Sequence, residues 1–83
     1  MADVSEQEIN ELHIRIGRNV KKKREEKGLS QLKLSQEIDQ KSTTVISQAE
    51  LGKKKHFNIE QLYKIAKVLN CDICDFFASG AKQ

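Results

Sequence analysis

Residues 28–52 read GLSQLKLSQEIDQKSTTVISQAELG and contain two short runs with helical spacing. In the first run Ser30 is a suitable N-cap, and Leu34 and Ile38 are spaced to lie on one face of a helix. In the second run Ser42 is a suitable N-cap, and the final glycine is a suitable C-terminal stop. The stretch therefore predicts two short helices joined by a few residues.

A long helix is predicted before this stretch. Apolar residues recur every three or four positions over residues 5–27, which is the period of an amphipathic helix. Gly28 follows as the expected C-terminal cap. The apolar residues of this first helix are Ile9, Leu12, Ile16 and Val20.

The helix predicted after the stretch has a well-marked start. Asn58 is a suitable N-cap, Gln61 is placed to reach back to it, and Phe57 is placed to pack on Leu62. Apolar residues nearly surround this helix, so we expect it to be the central and most buried one. They are Ile59, Leu62, Tyr63, Ile65, Ala66, Val68 and Leu69. A last turn, capped by Asp72, is expected to contain Ile73, Phe76 and Phe77.

The composition fits one small all-α domain of five helices. The 83 residues are 37% hydrophobic, enough for a single core but not for two layers around a deep catalytic cavity. Few glycines, no proline and 5% aromatic residues argue against a strand-rich sandwich or barrel. We expect an acidic, partly flexible segment at residues 1–8, a domain at residues 9–77 and a disordered tail at residues 78–83.

The formal net charge of +3 conceals an uneven distribution. Residues 1–12 carry four acidic residues and no Lys or Arg, whereas residues 13–27 carry seven Lys or Arg residues against two Glu residues. A second basic run comprises Lys53, Lys54 and Lys55. Two basic segments suggest one positive face that binds nucleic acid, although a solvated lysine-rich helix is equally common in proteins that bind nothing charged.

The chain has no feature of a secreted or membrane protein. No apolar region follows Met1, and no stretch approaches the roughly eighteen apolar residues that a membrane span requires. Two cysteines are too few for a disulfide framework. We therefore expect a soluble protein of a reducing cytoplasm with no membrane partner.

Two short helices joined by a few residues are the layout of a helix-turn-helix, whose second helix enters the DNA major groove. Such a helix needs short donors and acceptors on its outer face, and here they lie opposite Ile46 and Ala49. Gln can pair bidentately with adenine, and Thr can hydrogen-bond to bases or touch a thymine methyl group. An ordinary exposed helix face is the alternative interpretation. The outward residues are Thr43, Thr44, Ser47 and Gln48.

A wider set of residues stands in register from Ile16 to Phe77. It comprises Ile16-Gly17, Val20, Arg24, Gly28-Leu29-Ser30-Gln31, Leu34, Ile38, Ile46-Ser47, Glu50, Gly52, Leu62, Ile65-Ala66 and Leu69. In this pattern the chain resembles the phage repressor and Cro-type (XRE-like) helix-turn-helix regulators, a family that includes restriction-modification controller proteins. The resemblance implies a five-helix, lambda-repressor-like domain that binds a palindromic DNA operator as a homodimer, with its third helix in the major groove.

The resemblance also implies roles for individual residues. Thr43, Thr44 and Gln48 match base-reading positions, and Ser47 lies on the same face. Arg24 and Glu50 match an ion pair that joins the first helix to the third, which is a structural role. The positions expected to contact phosphate are Gln31, Ser42, Gly52, Lys53, Lys54 and Lys55.

Two departures from the family pattern affect these assignments. One extra residue lies between Asp39 and Ser42, where most members have a tight turn that starts with glycine. Either the turn is longer, or the third helix is longer and its reading face rotates by about 100°. In the second case Lys41 or Ser42 would replace Thr44 as a reader. A second extra residue precedes Ile59, which leaves open which loop lysine meets phosphate.

The remaining reactive residues form no catalytic constellation. Cys71 and Cys74 have C-x-x-C spacing without a second cysteine pair, and we expect them to be small apolar fillers beside the last helix. His13 and His56 have no carboxylate at metal-site spacing. We therefore expect no enzymatic activity, no cofactor, no metal and no small-molecule substrate.

The apolar end of the chain has two possible roles. Ile73, Phe76 and Phe77 can complete the monomer core, form a homodimer interface, or do both. A different functional class is also open: an antitoxin-like or coactivator-like module that grips a partner protein through the fourth and fifth helices. DNA binding would then be secondary.

Overall fold

The computed structural model describes residues 3–52 and 54–79. These residues form four α-helices and no strand, which confirms the all-α class. The helices are α1 (Glu6–Glu26), α2 (Gln31–Glu37), α3 (Thr43–Leu51) and α4 (Ile59–Leu69), and the fifth predicted element is a 3-10 helix, Ile73–Phe77. Because α1 begins at Glu6, part of the expected acidic segment is helical. Of the expected tail, residues 80–83 lie outside the described residues.

Most helix ends follow the capping residues that the sequence predicted, but Asp72, which was expected to cap the last turn, makes no side-chain capping hydrogen bond. The Ser30 hydroxyl accepts a hydrogen bond from the Lys33 amide at 3.0 Å at the start of α2. At the start of α4, the Asn58 side chain accepts from the Gln61 amide at 2.7 Å, and Gln61 accepts from the Asn58 amide at 2.9 Å. Gly28 ends α1 in the left-handed conformation, with φ of 73°. These predicted caps are confirmed.

One hydrophobic core joins all five elements. α1 packs against α3 and the 3-10 helix, and α2 packs against α3 and α4. The apolar face of α1 is buried only from Ile16 onward. Of the earlier residues predicted for this face, Leu12 is half-buried and Ile9 is exposed. The buried apolar residues are Ile16, Val20, Leu34, Ile38, Ile46, Ala49, Phe57, Leu62, Ile65, Ala66, Leu69 and Phe76.

α4 was expected to be the central and most buried helix, but it is buried on one side only, although apolar residues nearly surround it in sequence. Ile59 is 68% exposed and Tyr63 is 55% exposed. The other helices cover only the opposite side of α4, which carries Leu62, Ile65, Ala66 and Leu69. Lys67 lies over the Tyr63 ring, with its Nζ atom 5.3 Å from the ring centroid. The outer side of α4 therefore presents apolar groups to solvent.

The C-terminal segment completes the monomer core. Phe76 is fully buried, and the Asn19 side-chain amide in α1 donates to the carbonyl oxygens of Phe76 and Ala78, each at 2.9 Å. Of the two roles expected for Phe76, the structure supports the core role, and the prediction that it lies in a dimer interface is wrong because the residue has no exposed surface for a second chain to contact. Ile73 is half-buried against the core, and Phe77 is 38% exposed.

Among the described residues, no helix combines the length and apolar character needed to cross a membrane.

Candidate nucleic-acid interface

The connection between α2 and α3 determines which residues α3 turns outward. After α2, Asp39 adopts a left-handed conformation with φ of 61°, and the Gln40 amide donates to the Ser35 carbonyl oxygen at 2.8 Å. Aspartate tolerates this conformation better than most residues with a Cβ atom, so it can replace the glycine of a tighter turn. α3 then begins at Thr43, with Ser42 as its N-cap. The extra residue lengthens the turn and leaves α3 unextended.

This register places Lys41 and Ser42 before α3 rather than on its reading face. The Ser42 hydroxyl accepts a hydrogen bond from the Thr44 amide at 3.1 Å, and the side chain remains exposed. Its hydroxyl hydrogen is still available to donate to a phosphate oxygen. The rotated reading face considered from the sequence is therefore not adopted.

The outer face of α3 carries polar side chains that the described part of the chain engages only in part. Thr44 is exposed, and Thr43, Ser47 and Gln48 are half-buried. The Ser47 hydroxyl donates to the Thr44 carbonyl oxygen at 3.1 Å, so its oxygen remains available mainly as an acceptor. The Gln48 carboxamide has no hydrogen bond to any of the described residues. It is free to present a donor and an acceptor together.

The inner face of α3 holds a buried ion pair between α1 and α3. Arg24 Nε donates to Glu50 Oε2 at 2.7 Å, and Arg24 Nη2 donates to Glu50 Oε1 at 3.1 Å. A third hydrogen bond, from Arg24 Nη1 to the Leu29 carbonyl oxygen, is 2.7 Å long. The hydrogen bond to Glu50 raises the pKa of Arg24 above its ordinary value. Within the described residues, no buried side-chain nitrogen or oxygen lacks a partner.

Gln31 joins this network, which the sequence reasoning missed. Its Nε2 atom donates to Glu50 Oε1 at 2.9 Å, so the first residue of α2 is held against α3. The carboxamide nitrogen carries a second hydrogen, which a phosphate oxygen can accept. The network thus orients a side chain at the N-terminus of α2, where anions are favoured by the helix dipole. Sequence spacing alone could not reveal this contact.

Gly52 does not have the phosphate-binding role expected for it. It is buried, and its amide donates to the carbonyl oxygens of Gln48 and Ala49, each at 3.1 Å, as the C-cap of α3. Its φ is 71°, and a Cβ atom on it would lie 2.7 Å from Ile14 Cα. Glycine is needed here because the backbone is left-handed and lies in close contact with α1. Its amide already donates within α3 and has no hydrogen left for a phosphate oxygen.

The lysine loop after α3 is only partly described. Lys54 and Lys55 are exposed, as phosphate contacts require, whereas the third predicted residue, Lys53, lies outside the described residues. His56 in this loop stacks on His13 of α1, with ring centroids 3.5 Å apart and planes inclined by 3°. Burial and the neighbouring His56 lower the pKa of His13. No spacing signal in the sequence indicated this contact.

A cleft of about 180 Å³ lies between α1 and the C-terminal end of α3. Its walls are Ile14, Arg18 and Lys21 from α1, and Glu50 and Leu51 from α3. Arg18, Lys21 and Leu51 are all exposed. Basic residues of α1 thus line a cleft beside the candidate reading helix, an arrangement that charge counting along the chain did not specify.

The two cysteines lie away from this interface. Cys71 is half-buried against the core, as expected, and burial raises the pKa of its thiol. Cys74 is exposed, so the prediction that both are apolar fillers was wrong for this residue. Both thiols are free. In the part of the chain that the structure describes, no three His, Cys, Asp or Glu side chains are grouped so that they could hold a metal ion.

Comparison with protein families agrees with this architecture. The helix-turn-helix family HTH_3 matches residues 20–76, which include α2, the turn, α3 and α4. The chain therefore belongs to this XRE-type family, and its domain is that of a DNA-binding transcription regulator. Searches of curated proteins and of solved structures gave no significant match.

Proposed function

We propose that this chain is a sequence-specific transcription regulator that binds a palindromic operator as a homodimer, with α3 in the major groove. The observation that carries the proposal is the difference between the two faces of α3. Glu50 on the inner face is fully engaged, whereas Gln48 and Thr44 on the outer face have polar groups that the described chain does not use. Base edges in the major groove supply the missing partners.

Base discrimination is assigned to the outer face of α3. The Gln48 carboxamide can pair bidentately with adenine, which is worth about 1–3 kcal/mol against a wrong base. Thr43 and Thr44 can donate to or accept from base edges near the N-terminus of α3, and Ser47 can accept from a base amino group. These four residues occupy one helix, so their order along α3 sets the order in which base pairs are read.

Phosphate contacts are assigned to the ends of the motif. Gln31 is held by Glu50 at the start of α2, and Ser42 is exposed at the start of α3. Lys54 and Lys55 are exposed beyond the end of α3, and we assign Lys53 to the same loop contact. Contacts of this kind fix the position of the domain on the duplex and make binding depend on salt.

Two observations support a homodimer: the exposed apolar residues, and the small number of base pairs that one α3 can read. Ile59, Tyr63 and Phe77 expose apolar surface that a second copy can cover, and Ile73, four residues before Phe77, is half-buried. One α3 reads only a few base pairs, which is little sequence information. A two-fold pair of α3 helices, about 34 Å apart, would read two half-sites in successive turns of DNA.

The test is a selection of DNA fragments followed by variants of the two kinds of contact. Genomic fragments retained by the protein at two salt concentrations are sequenced, and an inverted repeat is expected among them. Gln48→Ala should change the enriched sequence at one position of each half-site. Lys54→Ala should weaken binding to all sequences alike and reduce the slope of log affinity against log salt by about 1.

Each part of the proposal has its own contrary result. An unchanged motif with Gln48→Ala would show that Gln48 does not read a base. A single half-site, together with a monomer in sedimentation of the DNA complex, would exclude the homodimer. Lys22→Ala, a basic residue on the exposed side of α1, is a matched control for loss of one positive charge.

A partner-protein module is the second candidate function, and the outer side of α4 favours it. Ile59 and Tyr63 stand one helical turn apart and are both exposed, so they form an apolar strip that another protein could cover. Retention of DNA fragments without any enriched motif would favour this function. An enriched inverted repeat would favour the regulator.

A further inference from the structure

The outer face of α3 ends in an exposed leucine. Leu51 follows Thr44 by seven residues and Gln48 by three, so all three project from the same side of the helix. Leu51 is 63% exposed, and it is the last residue of α3. The proposed reading surface therefore changes from hydroxyl and carboxamide groups to an apolar group at its C-terminal end.

A single exposed leucine is common on protein surfaces and does not by itself indicate a function. The surroundings of Leu51 supply the second observation. Leu51 forms one wall of the cleft whose other wall carries Arg18 and Lys21, both exposed. Positive side chains across a cleft attract the phosphate backbone, and they would hold a strand of DNA beside the end of α3.

The chemistry of the major groove limits what such a leucine can meet there. Base edges present donors and acceptors, and the C5-methyl group of thymine is the apolar group among them. A leucine cannot donate to a phosphate or to a base, so its favourable contact in the groove is with that methyl group. Contact would remove apolar surface of both groups from water.

We infer that Leu51 is a specificity-determining residue that contacts the C5-methyl group of a thymine at the edge of each half-site. Arg18 and Lys21 act as positioning residues, because they hold the flanking phosphates across the cleft from Leu51. The inference rests on the proposed function, since it requires α3 in the major groove. It adds an apolar contact to a reading surface that would otherwise consist of Thr43, Thr44, Ser47 and Gln48.

The experiment replaces thymine by deoxyuridine, one position at a time, in the enriched half-site. Deoxyuridine keeps the pairing edge and lacks the methyl group, so it isolates the apolar contact. For the native chain, one position should weaken binding by roughly three- to tenfold, the size expected for losing a methyl contact. For Leu51→Ala, thymine and deoxyuridine at that position should bind alike. Leu51→Met, which restores an apolar side chain, should recover at least half of the effect.

Two control variants separate Leu51 from other sources of methyl contact. Thr44→Ser removes the threonine methyl group, and it should leave the Leu51-dependent position sensitive to deoxyuridine. Leu32→Ala removes an exposed leucine of α2, which is 55% exposed, and should change no position. Urea unfolding of each variant checks that it is folded, and all four substitutions are at exposed sites.

The outcomes distinguish this inference from the function on which it depends. If a motif is enriched but no thymine is sensitive, or if the sensitive position stays sensitive in Leu51→Ala, the inference is wrong and the regulator stands. If no motif is enriched, the proposed function fails and the inference fails with it. Sensitivity that disappears in Leu51→Ala and persists in Thr44→Ser supports both.

Discussion

The inner and outer faces of α3 differ in how many of their side chains are buried or hydrogen-bonded within the described chain. On the inner face Ile46 and Ala49 are fully buried, and both carboxylate oxygens of Glu50 accept hydrogen bonds from Arg24 or Gln31. On the outer face Thr44 and Leu51 are exposed. The inner residues belong to the buried core and its ion pair, whereas Thr44 and Leu51 on the outer face are in contact mainly with solvent. The chain belongs to a family of DNA-binding regulators, and we propose that DNA is the partner of the outer face.

Among the substitutions that test this comparison, removal of Glu50 should lower the unfolding free energy most. In Glu50→Ala the Arg24 guanidinium stays buried without its carboxylate, and breaking a buried pair in this way costs about 3–5 kcal/mol of unfolding free energy. Urea denaturation followed by circular dichroism measures the loss. Gln48→Ala on the outer face is the control and should stay within about 0.5 kcal/mol of the native chain. Equal losses from both variants would abolish the distinction between the faces.

A methyl group at Gly17 should have the next largest effect. A Cβ atom there would lie 2.5 Å from the Ala49 carbonyl oxygen and would also clash with that of Glu50. Alanine inside a helix is ordinarily better than glycine by about 1 kcal/mol. Here we expect Gly17→Ala to lower the unfolding free energy by about 1–3 kcal/mol, because the two helices must separate.

The matched control for Gly17→Ala is Lys22→Ala, which places alanine on the exposed side of the same helix. This variant should change stability by less than about 0.5 kcal/mol. A more stable Gly17→Ala protein would show that α1 and α3 are not in close contact at this point.

Ser42, the N-cap of α3, lies where the two faces begin. Loss of this cap should lower the unfolding free energy less than the two changes above. Ser42→Ala removes the hydroxyl that accepts from the Thr44 amide, which should cost about 1 kcal/mol in urea denaturation. Ser42→Asn keeps a side-chain oxygen for the cap and should remain close to the native value. A loss of the same size in both variants would mean that the cap does not set the start of α3.

The smallest expected effect is a pH dependence of the unfolding free energy. It arises from His13, which stacks on His56 beyond the C-terminal end of α3. Because the pKa of His13 is lower in the folded chain than its ordinary value of 6.5, the unfolded chain takes up a proton more readily. The unfolding free energy should therefore fall as pH decreases through 6.5 towards the folded pKa. Urea midpoints between pH 7.5 and 5.5 measure this slope.

His13→Gln is the comparison for the pH measurement, since it removes the titrating group from the stack with His56. Its urea midpoint should change less with pH than that of the native chain over the same interval. A slope as steep in His13→Gln as in the native protein would assign the pH dependence to other groups.

Local signals in the sequence predicted most of the fold. Ser30, Ser42 and Asn58 mark helix starts because a side-chain oxygen can satisfy an amide that has no partner within the helix. Apolar spacing identified the core face of α2 and that of α1 from Ile16 onward, whereas Ile9 in the same pattern is exposed. It failed on α4, where Ile59 and Tyr63 extend the apolar pattern but face solvent. Spacing reports which residues are apolar, and only the packing of the other helices decides which side is covered.

The candidate site was predictable to the extent that its residues lie on one helix. Thr43, Thr44, Ser47 and Gln48 share a face of α3 by helical geometry alone. The register of that face was open until the left-handed conformation of Asp39 placed the extra residue in the turn. The sequence predicted no role for Leu51, because its exposure beside Arg18 and Lys21 depends on how α1 packs on α3.

The sequence by itself determined the helices, their caps, the uneven charge and the family to which the chain belongs, because these depend on residues close together in the chain or on a pattern in register. Tertiary structure decided what depends on contacts between distant residues. It set Gln31 against Glu50, committed the amide of Gly52 and buried Phe76 within the chain. It also stacked His56 on His13 and brought the basic side of α1 to Leu51. Each of these results follows from how the helices pack, which no local spacing encodes.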